Sequence, residues 1–276
     1  MTQAQFILNG KTTDSISLLD RGLHYGDGLF ETIAYDSGKL WLWPQHIQRL
    51  QTGAERLGLG KIPEQQWLDD IKLLNFEQPR AVIKLIHTRG TGGRGYYASE
   101  STPSRIVAAY PWPAYPQSNQ QGVSIRICQT PVSVNTALAG LKHMNRLDNV
   151  LARNEWDEPA IAEGLMLDDR GMIIEGTMSN VFGVKADVLF TPDLRRAGVA
   201  GVVRDEIISL AQQQGMEIRC MDISQPQLLQ MDELFICNSV IGIWPVIQLD
   251  AQQWSIGPIT KTITEMLTQE IHRNAT

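Results

Sequence analysis

Apolar and polar positions along this 276-residue chain fall into two successions of elements separated by a proline-rich stretch. In the first, QFILNG (5–10) and GLFETIAYDSGKLWLW (28–43) are built from strand formers, and DSG at 36–38 predicts a hairpin turn. A helix follows, because Pro44 suits a first helical turn and Ile47, Leu50, Ala54 and Leu57 recur on one face. A second helix over 64–74 and strands over 81–88 and 105–110 complete this part. The second succession starts with a strand, VSIRIC (123–128). Leu147, Val150 and Leu151 then recur at i, i+3 and i+4, which predicts a helix over 146–156 with Asn145 as N-cap and Asp148 completing a capping-box-like start. Strands are expected at EGLMLDD (163–169), MIIEGTMSNVFGVK (172–185) and DVLFTP (187–192). A helix after Gly201 buries Val203, Ile207, Leu210 and Ala211, strands lie at EIRCMDI (217–223) and ELFICNSV (233–240), and a last helix buries Ile259, Ile263, Met266 and Leu267.

This pattern is α+β, and the length favours two domains over one core. PWPAYPQSNQQG (111–122) packs three prolines among polar residues and marks the connection. The expected division is an N-terminal domain over 1–112, a linker over 113–121 and a C-terminal domain over 122–276.

Composition narrows the function classes. A formal charge of −6 and a pI near 5.4 give no basic field for a nucleic-acid backbone, so no nucleic-acid partner is expected. No apolar run reaches membrane-spanning length, and the opening residues have neither a basic n-region nor an apolar h-region, so a cytoplasmic protein without a membrane partner is expected. Cys128, Cys220 and Cys237 are odd in number, widely spaced and in strand-like runs, which reads as buried free thiols. The five histidines are scattered, and no metal is expected.

The candidate chemistry starts at Lys142, on a loop just before the predicted helix. A loop lysine is ordinarily solvated. Here Val132, Val134, Ala137, Leu138, Ala139 and Leu141 precede it, and a packed segment would desolvate the amine, lower its pKa and free it as nucleophile or base. Gly90, Gly92 and Gly95 match a dinucleotide fingerprint, yet Pro103 and turn formers follow where a helix must open, so the match is rejected. What survives is a glycine-rich loop carrying Arg89 and Arg94, either solvated or able to grip a carboxylate. Gly201 leads into a helix whose N–H groups suit a phosphate, and Arg49, off the buried stripe of its helix, is a surface residue or that phosphate's partner. Glu175 lies in an apolar strand and either faces water or, facing inward, needs a cationic or N–H partner. An amine, a phosphate site and a carboxylate for a ring nitrogen are together what pyridoxal phosphate asks of a protein.

RGLHYGDGLFETI, HIQRL, RGTGGRGY, AGLKHMNRLDNVLARNE, EGTMSNVF and GVAGVVRD, in this order and spacing, resemble the fold-type IV pyridoxal-phosphate enzymes over nearly the whole chain. That family contains branched-chain and D-amino-acid aminotransferases and a lyase acting on 4-amino-4-deoxychorismate. The resemblance implies two domains, a smaller N-terminal α/β domain and a larger C-terminal one with a mixed, barrel-like sheet, in a homodimer with its active site between the domains. It implies that Lys142 carries pyridoxal 5'-phosphate, that Glu175 pairs with the pyridine nitrogen, and that Arg49 with the backbone of Gly201, Val202 and Val203 holds the phosphate. Asn180 and Ser239 fall near the cofactor. Val203 stands where many relatives have Thr, so the phosphate must lean on backbone N–H groups. Tyr25, Arg89, Arg94 and Arg146 are the candidates for substrate, with Arg94 first because its loop can fold over a ligand. RGTGGRGY with GLKHMNRL looks most like the lyase branch, which implies conversion of 4-amino-4-deoxychorismate to 4-aminobenzoate and pyruvate for folate synthesis. A transaminase on the same cofactor, and a silent protein binding pyridoxal phosphate or an aromatic acid, remain alternatives.

Overall fold

The computed structural model describes residues 4–98 and 101–274, which group into two compact units. One contains the chain up to Pro113 together with Leu141–Asn145; the other contains Ala114–Gly140 and Arg146–Arg273. The division differs from the expected one in two ways. The proline-rich stretch is no free connector, since from Ala114 it belongs to the second unit and winds into a 3-10 turn over Gln117–Gln121. The short segment around Lys142 leaves its sequence neighbours and joins the first unit.

The first unit runs β1 (Gln5–Leu8), β2 (Lys11–Thr12), α1 (Arg21–Tyr25), β3 (Gly28–Asp36), β4 (Lys39–Leu40), α2 (Trp43–Leu57), α3 (Glu64–Lys72), β5 (Arg80–Thr88) and β6 (Ser104–Pro111). Its strands form one antiparallel sheet in the order β2-β1-β6-β5-β3-β4. The expected hairpin arm after Gly38 is only two residues long, because Trp43 already opens α2 with Pro44 in its first turn. Along α2, Ile47, Leu50 and Ala54 are buried as their spacing requires, each large side chain contributing about 1.5–3 kcal/mol.

In the second unit the elements are β7 (Val123–Ile127), α4 (Leu147–Arg153), β8 (Ile161–Leu167), β9 (Met172–Gly176), β10 (Asn180–Lys185), β11 (Val188–Pro192), α5 (Val202–Gln213), β12 (Ile218–Met221), β13 (Ile223–Ser224), α6 (Gln225–Leu229), β14 (Glu233–Asn238), β15 (Gly242–Leu249), β16 (Gln252–Gln253) and α7 (Pro258–Asn274). The sheet order is β12-β11-β10-β14-β15-β7-β8-β9-β13, with parallel pairs at β11/β12, β15/β7 and β7/β8. Its two ends, β12 and β13, are separated in the chain by Asp222 alone, so the mixed sheet must curl back on itself. That gives the barrel-like form, filled by residues such as Ile125, Leu165, Ile173, Ile236 and Trp244.

The short helices α1 and α6 were not expected, and three further elements depart from the sequence pattern. The long strand expected over 172–185 is two strands, interrupted at 177–179 where Glu163 takes the backbone N–H groups of Thr177 and Met178. β15 was not anticipated, because Pro245 lies within it; the pairing with β7 shifts register between Val246 and Gln248. The helix expected over 146–156 spans only Leu147–Arg153, and Arg146, not Asn145, takes the N-cap position without a side-chain cap. Asp148 accepts instead from Ser133 N at 2.8 Å. Leu147, Val150 and Leu151, spaced like a buried face, are 69%, 52% and 53% exposed.

Candidate active site

Alternation along β3 places Glu31 with Leu29 and Ile33 on the face covered by α2, and Phe30 and Thr32 on the opposite face. The Lys142 segment fills the free edge beside the start of β3. Phe30 N donates to Lys142 O at 3.0 Å, Met144 N donates to Gly28 O at 3.0 Å, and Leu29 bridges to His143. This pairing explains how a lysine outside any strand or helix is held in a defined place. Lys142 is half-buried, and its Nζ lies 4.4 Å from the centroid of the Phe30 ring. Lys84 of β5 approaches the same ring at 5.0 Å, and burial lowers its pKa. Sequence reasoning missed Lys84, which in IKLIH looks like an outward strand residue.

On the α2 side, Glu31 is 1% exposed and takes Arg49 through both oxygens, with Nε at 2.8 Å from Oε1, while His46 Nδ1 lies 2.6 Å from Oε2. Burial pushes the Glu31 carboxyl up, but the Arg49 guanidinium and His46 outweigh it and bring the pKa down to about 2. Burial lowers His46, outweighing its contact with Glu31, so the neutral ring donates from Nδ1. Arg49 is therefore neither a loose surface arginine nor an uncommitted cation: a phosphate would share its guanidinium with Glu31.

The glycine-rich loop is tied to α1. Asp20 caps α1 by accepting from Gly22 N, and Arg21, one residue on, donates to Gly95 O at 2.8 Å and Tyr96 O at 3.0 Å. Tyr25 Oη accepts from Gly95 N at 3.1 Å, which makes Tyr25 a support of this loop. Arg94, next to the anchored Gly95, is exposed and in no ion pair among the described residues. Arg89 corrects the sequence expectation. Its guanidinium donates to Asp27 at 2.8 Å, Gly58 O at 2.7 Å and Leu57 O at 2.8 Å, closing the C-terminus of α2, and this geometry makes it a structural residue, not a substrate ligand. Burial raises the Asp27 carboxyl, yet Arg89 and Arg21 together hold it below its ordinary value.

In the second unit Glu175 faces inward, 3% exposed. Alternation could not decide this, because β9 carries an extra residue there: Met166 pairs with Glu175 and the next residue, Leu167, with Ile173. Glu175 Oε2 accepts from Val199 N at 2.8 Å, while Asn180 Nδ2 donates to Val199 O at 2.9 Å. Both ends of one peptide turn are thus fixed by residues five apart on β9 and β10. The turn delivers the chain to Gly201, the N-cap of α5, which has no side-chain cap. A Cβ on Gly201 would come within 2.0 Å of Asn180 Oδ1, so only glycine fits. The Val202 and Val203 side chains are buried, which leaves the backbone of this first turn as the donor surface. Gly140, at φ 80°, takes the left-handed bend anticipated for it and exchanges backbone hydrogen bonds with Gly198 and Ala200. Ser239 sits in the turn between β14 and β15, and Arg146 at the start of α4.

Taken by itself, each unit carries groups of the kind pyridoxal phosphate needs: the second a buried carboxylate bonded to the turn that leads into an uncapped helix start, the first a half-buried lysine against an aromatic ring. Residues 28–249 match the amino-transferase class IV family. The aminodeoxychorismate lyase of Vibrio harveyi is 34% identical over 267 residues, covering 94% of this chain and 97% of that protein. A putative branched-chain-amino-acid aminotransferase of Methanocaldococcus jannaschii is 32% identical over 270 residues, covering 94% and 93%. Among solved structures, the 4-amino-4-deoxychorismate lyase of Pseudomonas aeruginosa superposes with a TM-score of 0.89 at 41% identity, covering 96% of this chain and 98% of that one.

Proposed function

Because this chain belongs to the amino-transferase class IV family, we propose that it is a pyridoxal-phosphate-dependent lyase converting 4-amino-4-deoxychorismate to 4-aminobenzoate and pyruvate, a step of folate synthesis. The observation that carries the lyase reading is the match with the Pseudomonas aeruginosa lyase over nearly the full length of both chains. A transaminase reading draws on the aminotransferase relative at 32% identity.

When bound, the cofactor supplies an electron-accepting ring that stabilises the carbon from which a proton is lost. Lys142 would hold the cofactor, and its Nζ, when free, would take the proton from the substrate carbon that bears the amine and, as an ammonium, would give a proton to the departing enolpyruvyl oxygen. Glu175 keeps a proton on the ring nitrogen, while the Val202 and Val203 N–H groups and Arg49 bind the phosphate, with Gly201, Asn180 and Ser239 shaping its surroundings. Arg94 is the carboxylate-binding arginine this reading favours, since it is exposed on an anchored loop. Lys84 is a second cation for the dicarboxylate substrate. Tyr25 supports the Arg94 loop, and Arg146 remains a candidate for the other carboxylate.

A homodimer is part of the proposal. Leu18, Leu19 and Leu23 in one unit and Leu147, Val150 and Leu151 in the other are exposed apolar side chains that a second copy would cover. The three free thiols support a reducing compartment, and we place the enzyme in the cytoplasm. Among the described residues no helix is long and apolar enough to cross a membrane.

The test is stoichiometric. Supplied with 4-amino-4-deoxychorismate and no keto acid, the protein should release 4-aminobenzoate and pyruvate in equal amounts over many turnovers. Product that stops at one equivalent per site, or turnover seen only with an amino acid plus 2-oxoglutarate, assigns it to the transaminases.

A further inference from the structure

Glu163 lies on β8, is fully buried, and takes no part in the roles above. Its oxygens accept five hydrogen bonds: from Gly164 N at 2.9 Å, Thr177 N at 3.0 Å, Thr177 Oγ1 at 2.6 Å, Met178 N at 3.1 Å and Ser179 Oγ at 2.8 Å. Among the described residues it makes no ion pair, so neutral donors alone hold this carboxylate in the interior. Four of the five donors belong to 177–179, the break between β9 and β10. Two residues before the break stands Glu175, which holds Val199 N; immediately after it stands Asn180, which holds Val199 O.

We propose that Glu163 is a positioning residue for the cofactor: by fixing the 177–179 turn it sets the spacing between Glu175 and Asn180, and so couples the ring-nitrogen carboxylate to the helix start that takes the phosphate. The inference rests on the pyridoxal-phosphate reading. The turn has few other ties: Gly176 N donates to Ser179 O at 2.7 Å, Thr177 N to Gly164 O at 3.0 Å, Asn149 Nδ2 to Thr177 O at 3.0 Å and Asn238 Nδ2 to Met178 O at 3.0 Å. None of these reaches the Ser179 hydroxyl or the Met178 N–H, which among the described residues bond to Glu163. An amide in place of the carboxylate keeps the volume but turns an NH2 group toward donors.

Glu163→Gln tests this by titrating the apoprotein with pyridoxal phosphate and recording the bound cofactor's visible band against pH, alongside kinetics. The expected result is a dissociation constant raised on the order of tenfold, a displaced pH midpoint of the band and a lowered kcat. Thr177→Val, which deletes only the 2.6 Å hydroxyl donor, should move the same readouts in the same direction by about threefold and serves if the first variant does not fold. Cofactor affinity and band equal to wild type in the folded variants, even with lowered thermal stability, overturn the proposal by showing that Glu163 only holds the fold. If the unaltered protein binds no pyridoxal phosphate, the underlying functional reading fails instead, so the two failures are told apart by the wild-type titration.

Discussion

In the first unit two carboxylates sit among other charges, buried Glu31 between Arg49 and His46 and half-buried Asp27 between Arg21 and Arg89, while the fully buried Asp20 is held by Gly22 N and the Thr88 and Ser104 hydroxyls. In the second, Glu175 is bonded to a backbone N–H and Glu163 to N–H and hydroxyl groups throughout. The first arrangement matches long side chains that can re-pair, and its strength varies with the protonation of each partner. The second is assembled from peptide groups that the sheet has already fixed, and it is insensitive to salt. The difference teaches where precision is held: Glu175 and Glu163 are placed by the backbone around them, while Glu31 and Asp27 are placed by the side chains of Arg49, His46, Arg21 and Arg89. A lost partner should accordingly cost more in the second unit, since each buried donor left unmatched costs about 1–3 kcal/mol.

The sharpest contrast should come from Glu175→Gln. The amide retains shape and a coloured cofactor but cannot support a protonated ring nitrogen, and kcat should fall roughly 10²–10³-fold. A rate near wild type would remove Glu175 from the site and dissolve the contrast. In the first unit, Arg49→Ala should be milder, weakening cofactor binding on the order of tenfold, with activity recovered by added pyridoxal phosphate. The same variant sharpens the electrostatic half of the comparison. The folded-state pKa of Glu31 is depressed from 4.5 to about 2, so its contribution to stability is present above 4.5 and lost as pH falls toward 2. Without Arg49 the upward push of burial prevails, and acid unfolding followed by circular dichroism should start at higher pH; an unchanged acid transition would show that Arg49 does not hold Glu31.

How much of this could be read from the sequence follows the same division. Lys142, Glu175 and the Gly201 helix start announce themselves, because an amine, a carboxylate and a glycine stand among apolar neighbours whose packing then fixes them. Arg49 was visible as a residue off its helix stripe, but its partner Glu31 lies 18 positions away on β3 and no local pattern links them. Arg89 shows the converse, since a loop arginine looks available until the C-terminus of α2 is placed beside it. Glu163 was illegible: within EGLMLDD it resembles a solvated end of a strand, and only the break at 177–179 reveals where its donors come from. The helix after Lys142 misled in the other direction, as Leu147, Val150 and Leu151 have core spacing without core burial, which is what a face reserved for a second copy would look like.

The central claim is that one residue, Lys142, is both the cofactor's attachment and the base of the elimination, and its replacement measures this most directly. Lys142→Ala, mixed with pyridoxal phosphate and 4-amino-4-deoxychorismate, should still bind the cofactor reversibly through the phosphate contacts. It should release 4-aminobenzoate on the order of 10⁴-fold more slowly than wild type, monitored by the fluorescence of that product. Release at the wild-type rate would contradict the account, because it would leave the proton transfer to another group.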